Sequence, residues 1–246
     1  MDAGGDLTPE STKRSTPIWD RVPPRLRRSP GLSRDRIVRA AIVLVDREGL
    51  DNMAMRDIAG VLGSSPMSLY RHVPSKEDLI DLMVDAIVAE QDLDGIPSGD
   101  WRNDLERLAR TNREMLLAHP WASRPPVRPL LGPEALRRLE TALAIFPRSV
   151  PVTARAWAVN TVDAFVRGSV GADLAERFEI ERTGLDKAEW QQVVAPYMSK
   201  ILDSGNFPHV QAYLHGENTD PGAQFDAGLS AVLSGIVNQF TDEHLR

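Results

Sequence analysis

Apolar residues along the chain recur at spacings of three and four, and alternation typical of strands is nowhere sustained. The first such stripe lies between Ser33, a preferred N-cap residue, and Gly49, a residue type that commonly follows a helix. Its inward positions are Ile37, Ala40, Ala41, Leu44 and Val45. The pattern predicts an all-α protein.

Two short apolar patterns follow and predict a helix-turn-helix. Residues 55–63, MRDIAGVLG, give a helix of about two turns that Gly63 closes. A serine pair and Pro66 introduce a second short helix, since proline is well tolerated in the first helical turn. Ser75 then caps a long helix that we expect to run from Lys76 to Gln91.

The rest of the chain falls into a proline-rich beginning and a helical remainder. Residues 1–32 contain five prolines and predict a disordered arm, because such a composition cannot bury enough apolar surface to offset ordering. Residues 33–78 form the expected helix-turn-helix domain and 79–246 a larger helical domain. Further helices are expected near residues 101–119, 134–146, 152–177, 187–204 and 221–242.

Composition narrows the class of protein. The 246 residues include no cysteine, which excludes disulfides and thiolate metal sites. No apolar run approaches the roughly 20 residues of a membrane span, and the first residues lack the apolar region of a signal peptide. The sequence predicts a cytoplasmic protein without a membrane partner.

Charge divides the chain into a basic beginning and an acidic remainder. Between Lys13 and Lys76 there are 13 Lys and Arg against 6 Asp and Glu, whereas from Glu77 onward there are 16 against 26. This asymmetry indicates that the first part meets a polyanion. The predicted arm contributes four of the cations: Arg21, Arg25, Arg27 and Arg28.

The helix-turn-helix carries side chains suited to DNA. In such a unit the second helix enters the major groove and presents its early residues to base edges. Arginine can bind a guanine in bidentate fashion, while hydroxyl and ammonium groups suit phosphates. The candidate contacts are Arg56, Pro66, Met67, Ser68, Tyr70, Arg71, His72 and Lys76. The competing interpretation is an ordinary helical corner with surface cations.

The strings in this region resemble the DNA-binding domain of the TetR family of bacterial transcriptional regulators. They are SRDRIVRAAIVLVDREG, MAMRDIAGVLG and SPMSLYRHVPSKEDLIDLM. The resemblance implies a homodimer on palindromic double-stranded operator DNA, repressing until a small molecule binds the C-terminal domain.

The C-terminal region resembles the effector domain of the tetracycline repressors, through HPW, LLGPEALRRLE and FDAGLSAVLSGI. Tetracycline-binding members carry a histidine for drug-bound magnesium before a Leu-Gly pair, where this chain has Leu130. The nearest histidine, His119, ends a different helix. We therefore expect no metal and no cofactor. The aromatic residues of the candidate pocket described next favour a largely apolar, ring-containing effector.

Two groups of residues in the predicted effector domain suggest sites. Large aromatics with a few polar groups describe a ligand pocket, with candidates Asn112, Met115, Trp157, Asn160, Thr161 and Phe165. Stripes that allow close helix approach suggest a dimer bundle, with candidates Val159, Val162, Val166, Gly228, Ala231 and Gly235. The alternatives are a core with satisfied amides and packing of both stripes inside one protomer.

Three other functional classes remain as alternatives. An enzyme has little support, since the chain lacks a glycine-rich phosphate loop, H-E-x-x-H and G-x-S-x-G. A helical protein–protein adaptor is a second alternative. The third lies within the same family, as an effector-independent regulator or an activator. The leading prediction is a ligand-responsive repressor.

Overall fold

The computed structural model describes residues 17–20, 32–123, 132–214 and 221–243, and within them every regular element is helical. This confirms the all-α prediction. The helices are α1 Arg34–Glu48, α2 Met55–Val61, α3 Pro66–Tyr70, α4 Lys76–Val88, α5 Trp101–Ala118, α6 Pro133–Ala144, α7 Val152–Thr183, α8 Lys187–Leu202, α9 Pro208–Leu214 and α10 Pro221–Glu243. Short 3-10 turns occupy Leu50–Asn52 and Pro120–Ser123.

Serine side chains start three of the first four helices, as the sequence predicts. The Ser33 hydroxyl accepts from the Arg36 backbone N–H at 3.2 Å, and the Ser75 hydroxyl accepts from that of Asp78 at 3.0 Å. Ser65 caps α3 in the same way, with Pro66 directly after it. Each cap satisfies a backbone donor that has no partner inside its helix.

The chain divides into two compact units, which differ from the predicted domains. Unit one comprises residues 1–99 and 114–145, and unit two comprises 100–113 and 146–246. The predicted boundary at residue 78 falls inside unit one, because α4 packs on both α1 and α6. The inward face of α4 thus belongs to the same core as the helix-turn-helix.

The core of unit one is built from the predicted apolar stripes. Helix α1 packs on α2 and α4, and α2 packs on α3. The fully buried large side chains of this unit's helices include Ile37, Ile58, Leu69, Leu79, Met83 and Ile87. This packing holds α3 with its opposite face exposed.

Three details differ from the helices expected from sequence. Helix α4 ends at Val88 and has 13 residues, and the chain continues as a turn through Gln91. Helix α7 extends to Thr183, where Gly184 caps it in the left-handed conformation. The seven-residue α9 was not predicted.

Part of the predicted disordered arm is ordered. Residues 17–20 form a turn closed by a hydrogen bond from the Asp20 N–H to the Pro17 carbonyl, and Ile18 is 1% exposed. A buried isoleucine supplies the apolar contact that the composition of the segment did not suggest. The four arginines of the arm lie outside the described residues.

In unit two, α7 packs along α10, and α8 contacts α9. The apolar side chains Val159, Val162 and Val166 of α7 are buried, as are Phe225 and Leu229 of α10. Helices α8 and α9 are described over their full length, and no residue of either is buried. Within the described residues, no helix combines the length and hydropathy that crossing a membrane requires.

Candidate DNA-binding and effector sites

The α2–α3 pair forms a tight helix-turn-helix. The turn passes through Gly63, whose φ of 59° lies in the left-handed region that glycine adopts without a steric penalty. The Ser64 N–H then donates to the Ala59 carbonyl at 2.9 Å, closing the end of α2. Leu69 and Val73 are both fully buried and anchor α3 and the turn after it.

The opposite face of α3 presents its side chains to solvent. Met67 is 68% exposed and Tyr70 is 42% exposed, and both Pro66 and Arg71 are exposed. Exposed methionine and tyrosine on a short helix leave apolar surface and a hydroxyl available to a partner. This face can be inserted into a groove without moving the core residue Leu69.

The remaining DNA candidates differ in exposure. Arg56 extends into solvent beside Asp57, at 3.3 Å from its carboxylate. The Ser68 hydroxyl shares a 2.9 Å hydrogen bond with that of Ser65, so it also supports the N-terminus of α3. His72 is half-buried in the turn after α3.

Lys76 has a structural partner that the sequence did not reveal. Its Nζ donates to the Met53 carbonyl at 2.9 Å, which ties the start of α4 to the segment before α2. The ammonium group has two further protons for a phosphate. Lys76 therefore combines a packing role with the predicted DNA role.

Two effector candidates on α5 lie in different units. Asn112, in unit two, is buried and donates to Asp163 Oδ1 at 2.9 Å, so the satisfied-amide alternative describes it. Met115, in unit one, is buried, and its sulfur accepts from the Gln91 side chain at 3.2 Å. Asp163 and Gln91 were not singled out from the sequence.

The other effector candidates lie along α7. Trp157 is 45% exposed, Asn160 is exposed, and the Thr161 hydroxyl donates to the Trp157 carbonyl at 2.9 Å. Phe165 stacks on Phe225 of α10, with ring centroids 5.6 Å apart. The aromatic surface on α7 thus runs from an open end at Trp157 to a packed end at Phe165.

Beside the packed end lies a charged group that sequence reasoning missed. The Arg113 guanidinium binds Asp173 at 2.7 Å and lies 4.8 Å from the centre of the Phe225 ring. Arg110 binds both Glu106 and Asp226, and these hydrogen bonds raise the pKa of Arg110. The sequence feature that could have identified this charged group is the three-residue spacing of Arg110 and Arg113, which puts both on one face of α5.

The proposed dimer stripe on α7 requires correction. Val159, Val162 and Val166 are at most 1% exposed inside the protomer, so they have no surface left for a second chain. The alternative of packing within one protomer describes them. On α10, Gly228 faces the Phe165 ring, whereas Ala231 and Gly235 are exposed.

No cluster of three or more acidic or histidine side chains in the described ranges could hold a metal ion. Leu130, which stands where tetracycline-binding members have a histidine, lies outside the described residues.

Two family models match this chain. The model "Bacterial regulatory proteins, tetR family" matches residues 37–83, and the model "Tetracyclin repressor-like, C-terminal domain" matches residues 95–240. The first covers the helix-turn-helix and most of α4. The second covers more than half of the chain.

Related proteins show the same assignment. The chain is 36% identical to the HTH-type transcriptional repressor DrrR1 of Streptomyces coeruleorubidus, over 89% of this chain and 83% of that protein. The apo crystal structure of ActR from Streptomyces coelicolor has a TM-score of 0.67 at 26% identity, covering 84% of this chain and 97% of ActR. ActR in complex with actinorhodin has the same TM-score of 0.67 at 25% identity, covering 85% and 98%. Matched over both its DNA-binding and its C-terminal region, the chain is a transcriptional regulator rather than an enzyme, and it belongs to the TetR family.

Proposed function

We propose that this protein is a homodimeric repressor that binds a palindromic operator through α2 and α3 and is released by a small, largely apolar, ring-containing effector bound in unit two. The observation that carries the proposal is the exposed face of α3, held on a buried Leu69 and Val73. The repressor DrrR1 supports the direction of regulation.

The DNA-binding part rests on chemistry at that face. Arg71 can donate two parallel hydrogen bonds to a guanine, and the Tyr70 hydroxyl can donate to a phosphate oxygen. Lys76 lies in the first turn of α4, where backbone N–H groups favour a phosphate. The three groups follow one another through α3 into α4, as a contact track along one groove requires.

The effector part rests on the aromatic surface of α7 and on ActR. Trp157 and Phe165 occur on one face of α7, with Thr161 between them. Aromatic walls with few polar groups suit a flat, largely apolar molecule. The complex of ActR with actinorhodin supports a small-molecule effector for this chain.

The homodimer rests on apolar surface that a single chain leaves uncovered. Trp190, Val193 and Tyr197 of α8 are each more than half exposed, and Tyr213 of α9 is 79% exposed. A monomer rarely exposes so many large apolar side chains on neighbouring helices. With the valines of α7 buried, these faces and the exposed small residues of α10 are the surfaces we assign to the partner protomer.

Operator binding is tested with the DNA immediately upstream of the protein's own gene, by gel shift and footprinting. We expect Tyr70→Ala to weaken binding to all sequences similarly, and Arg71→Ala to cost about 1–3 kcal/mol at one base pair per half-site. Arg182→Ala, which removes an exposed arginine of unit two, is the matched control and should bind normally. Equal footprints from all three variants would exclude this face as the DNA reader.

The basic arm is tested separately. Replacing Arg21, Arg25, Arg27 and Arg28 by glutamine keeps the turn that buries Ile18, which deletion of the arm would remove. We expect the log–log salt dependence of operator binding to flatten by roughly one unit for each phosphate that the arm no longer neutralises. An unchanged slope would show that the arm does not touch DNA.

A further inference from the structure

A buried histidine joins three separate segments of unit one. His119 follows the last residue of α5, and its Nδ1 lies 2.8 Å from Asp46 Oδ1 on α1. Its Nε2 lies 2.9 Å from Glu90 Oε2 in the turn after α4. One imidazole therefore connects the first helix of the DNA-binding region to the ends of α4 and α5.

The two distances favour the protonated form of the ring. A neutral imidazole has one N–H and one lone pair, and the lone pair cannot face a carboxylate oxygen at hydrogen-bond distance without repulsion. Because both ring nitrogens face carboxyl groups, the doubly protonated ring is the form that can donate to both. As an imidazolium ion, His119 makes a charge-assisted hydrogen bond to each.

The surroundings support this cation. The Trp121 indole N–H donates to the same Asp46 Oδ1 at 2.7 Å, which fixes the position of that carboxylate. Among the described residues, the charged groups facing the ring are Asp46 from α1 and Glu90 from the turn after α4. Burial opposes the charge, but the hydrogen bonds and charges of Asp46 and Glu90 outweigh it and raise the pKa of His119.

We propose that His119 is a proton-dependent latch: as an imidazolium it holds α1 to the distal end of α4 and thereby orients the helix-turn-helix for the operator. Helix α1 packs on α2 and on α4, so a contact that joins Asp46 to Glu90 restrains the helix-turn-helix through α1. Loss of the proton removes one of the two bonds and loosens this joint. The proposal deepens the proposed operator binding and rests on it.

The direction of the pH effect follows from the raised pKa of His119. The latch is complete below the unfolded-state pKa of about 6.5 and is lost as pH rises through the higher folded-state pKa. A preoriented reading unit loses less freedom on binding DNA. Operator affinity should therefore fall as pH rises through that range.

The protonation state is measured by NMR titration of the histidine ring signals in the full-length protein, with the His119 signal assigned by its loss in His119→Gln. We expect the midpoint to lie above about 6.5, the value for an unperturbed histidine. Glu90→Gln keeps the histidine and a half-exposed side chain of the same size. That variant should fold normally and lower the midpoint, and an unshifted midpoint in either protein would overturn the latch.

The functional consequence is measured as the operator dissociation constant between pH 6 and pH 8.5 at constant ionic strength. A difference of one in the His119 pKa between operator-bound and free protein changes affinity by at most about tenfold, so we expect a loss of roughly three- to tenfold in the wild type. His119→Gln should remove this difference, and Glu90→Gln should shift it to lower pH. Glu176→Gln, at an exposed glutamate of α7 in unit two, is the charge control for Glu90→Gln and should retain the wild-type profile.

A protein that does not bind the operator and a protein without the His119 latch would give different results. Absence of operator binding at every pH would overturn the proposed function. Operator binding with the same pH profile in the wild type, His119→Gln and Glu90→Gln would overturn the latch alone, because contributions from other ionisable groups cancel in that comparison.

Discussion

Gly132 and Asp85 approach each other so closely that one added methyl group should separate α6 from α4. Asp85 is buried on α4, and its Oδ1 accepts from the Glu134 and Ala135 N–H groups at 3.1 and 2.9 Å, at the N-terminus of α6. A Cβ on Gly132 would overlap the Asp85 carboxylate and lie 2.8 Å from Asp85 Cβ. The backbone itself does not require glycine, since φ is −68°.

The expected cost of Gly132→Ala follows from what Asp85 would lose. Displacing the carboxylate breaks two hydrogen bonds to an ionised acceptor, each worth about 1.5–3 kcal/mol. Burial raises the pKa of Asp85 against the opposing effect of the Ala135 and Glu134 N–H groups, so the lower end of that range applies. Alanine at a compatible backbone position stabilises the folded protein by about 0.4–1 kcal/mol relative to glycine. The net expectation is a destabilisation of about 2 kcal/mol.

The assay is urea unfolding followed by tryptophan fluorescence, read as the free energy of unfolding. Gly60→Ala is the control, since Gly60 lies in α2 of the same unit and an added methyl group there would meet nothing within 4 Å. That change should be neutral or stabilise the protein by up to about 1 kcal/mol. Repeating Gly132→Ala in an Asp85→Gly background should abolish its cost, because the three atoms nearest to the added methyl group all belong to the Asp85 side chain. An Asp85→Ala background should rescue only in part, since the Cβ at 2.8 Å remains.

A cost of Gly132→Ala that is equal in all three backgrounds would refute the clash, because independent sites are additive to within about 0.5 kcal/mol. A cost equal to that of Gly60→Ala would show that Asp85 is free to move away. Either result would also remove Asp85 as the tie between α4 and α6.

Three further outcomes are expected. Gly184→Ala should destabilise the protein by about 1–2 kcal/mol in thermal unfolding, because φ is 71° at this cap and alanine is strained there. Lys76→Met should weaken operator binding and also lower the free energy of unfolding by about 1 kcal/mol, because it removes the hydrogen bond to the Met53 carbonyl. If Lys76 contacted only DNA, the free energy of unfolding would be unchanged. Glycine at both Ile80 and Val84 should make α4, a helix of 13 residues and about 20 Å, more flexible. If α4 couples effector binding to operator binding, this change should reduce the factor by which each ligand weakens binding of the other. An unchanged factor, titrated from both directions, would exclude α4 from that role.

The sequence by itself determined the local structure of the DNA-binding region. Helix periods, serine caps and the glycine after α2 act between residues three or four positions apart, so each is visible in a short string. The caps at Ser33, Ser65 and Ser75 were predicted in this way and are present in the structure. The DNA contacts on the exposed face of α3 stay predictions.

Only the tertiary structure decided which polar residues meet and which apolar faces are covered. His119 is 73 positions from Asp46 and 29 positions from Glu90 along the chain, and nothing local marks the three as a group. The stripe of Val159, Val162 and Val166 has the same period whether it packs inside the protomer or against another protomer, so the sequence left both possibilities open. In the structure the three valines are buried within the protomer, where α7 packs along α10. The spacing of apolar residues along one helix indicates that a face is buried. It does not indicate which segment covers that face, because this depends on how distant parts of the chain pack.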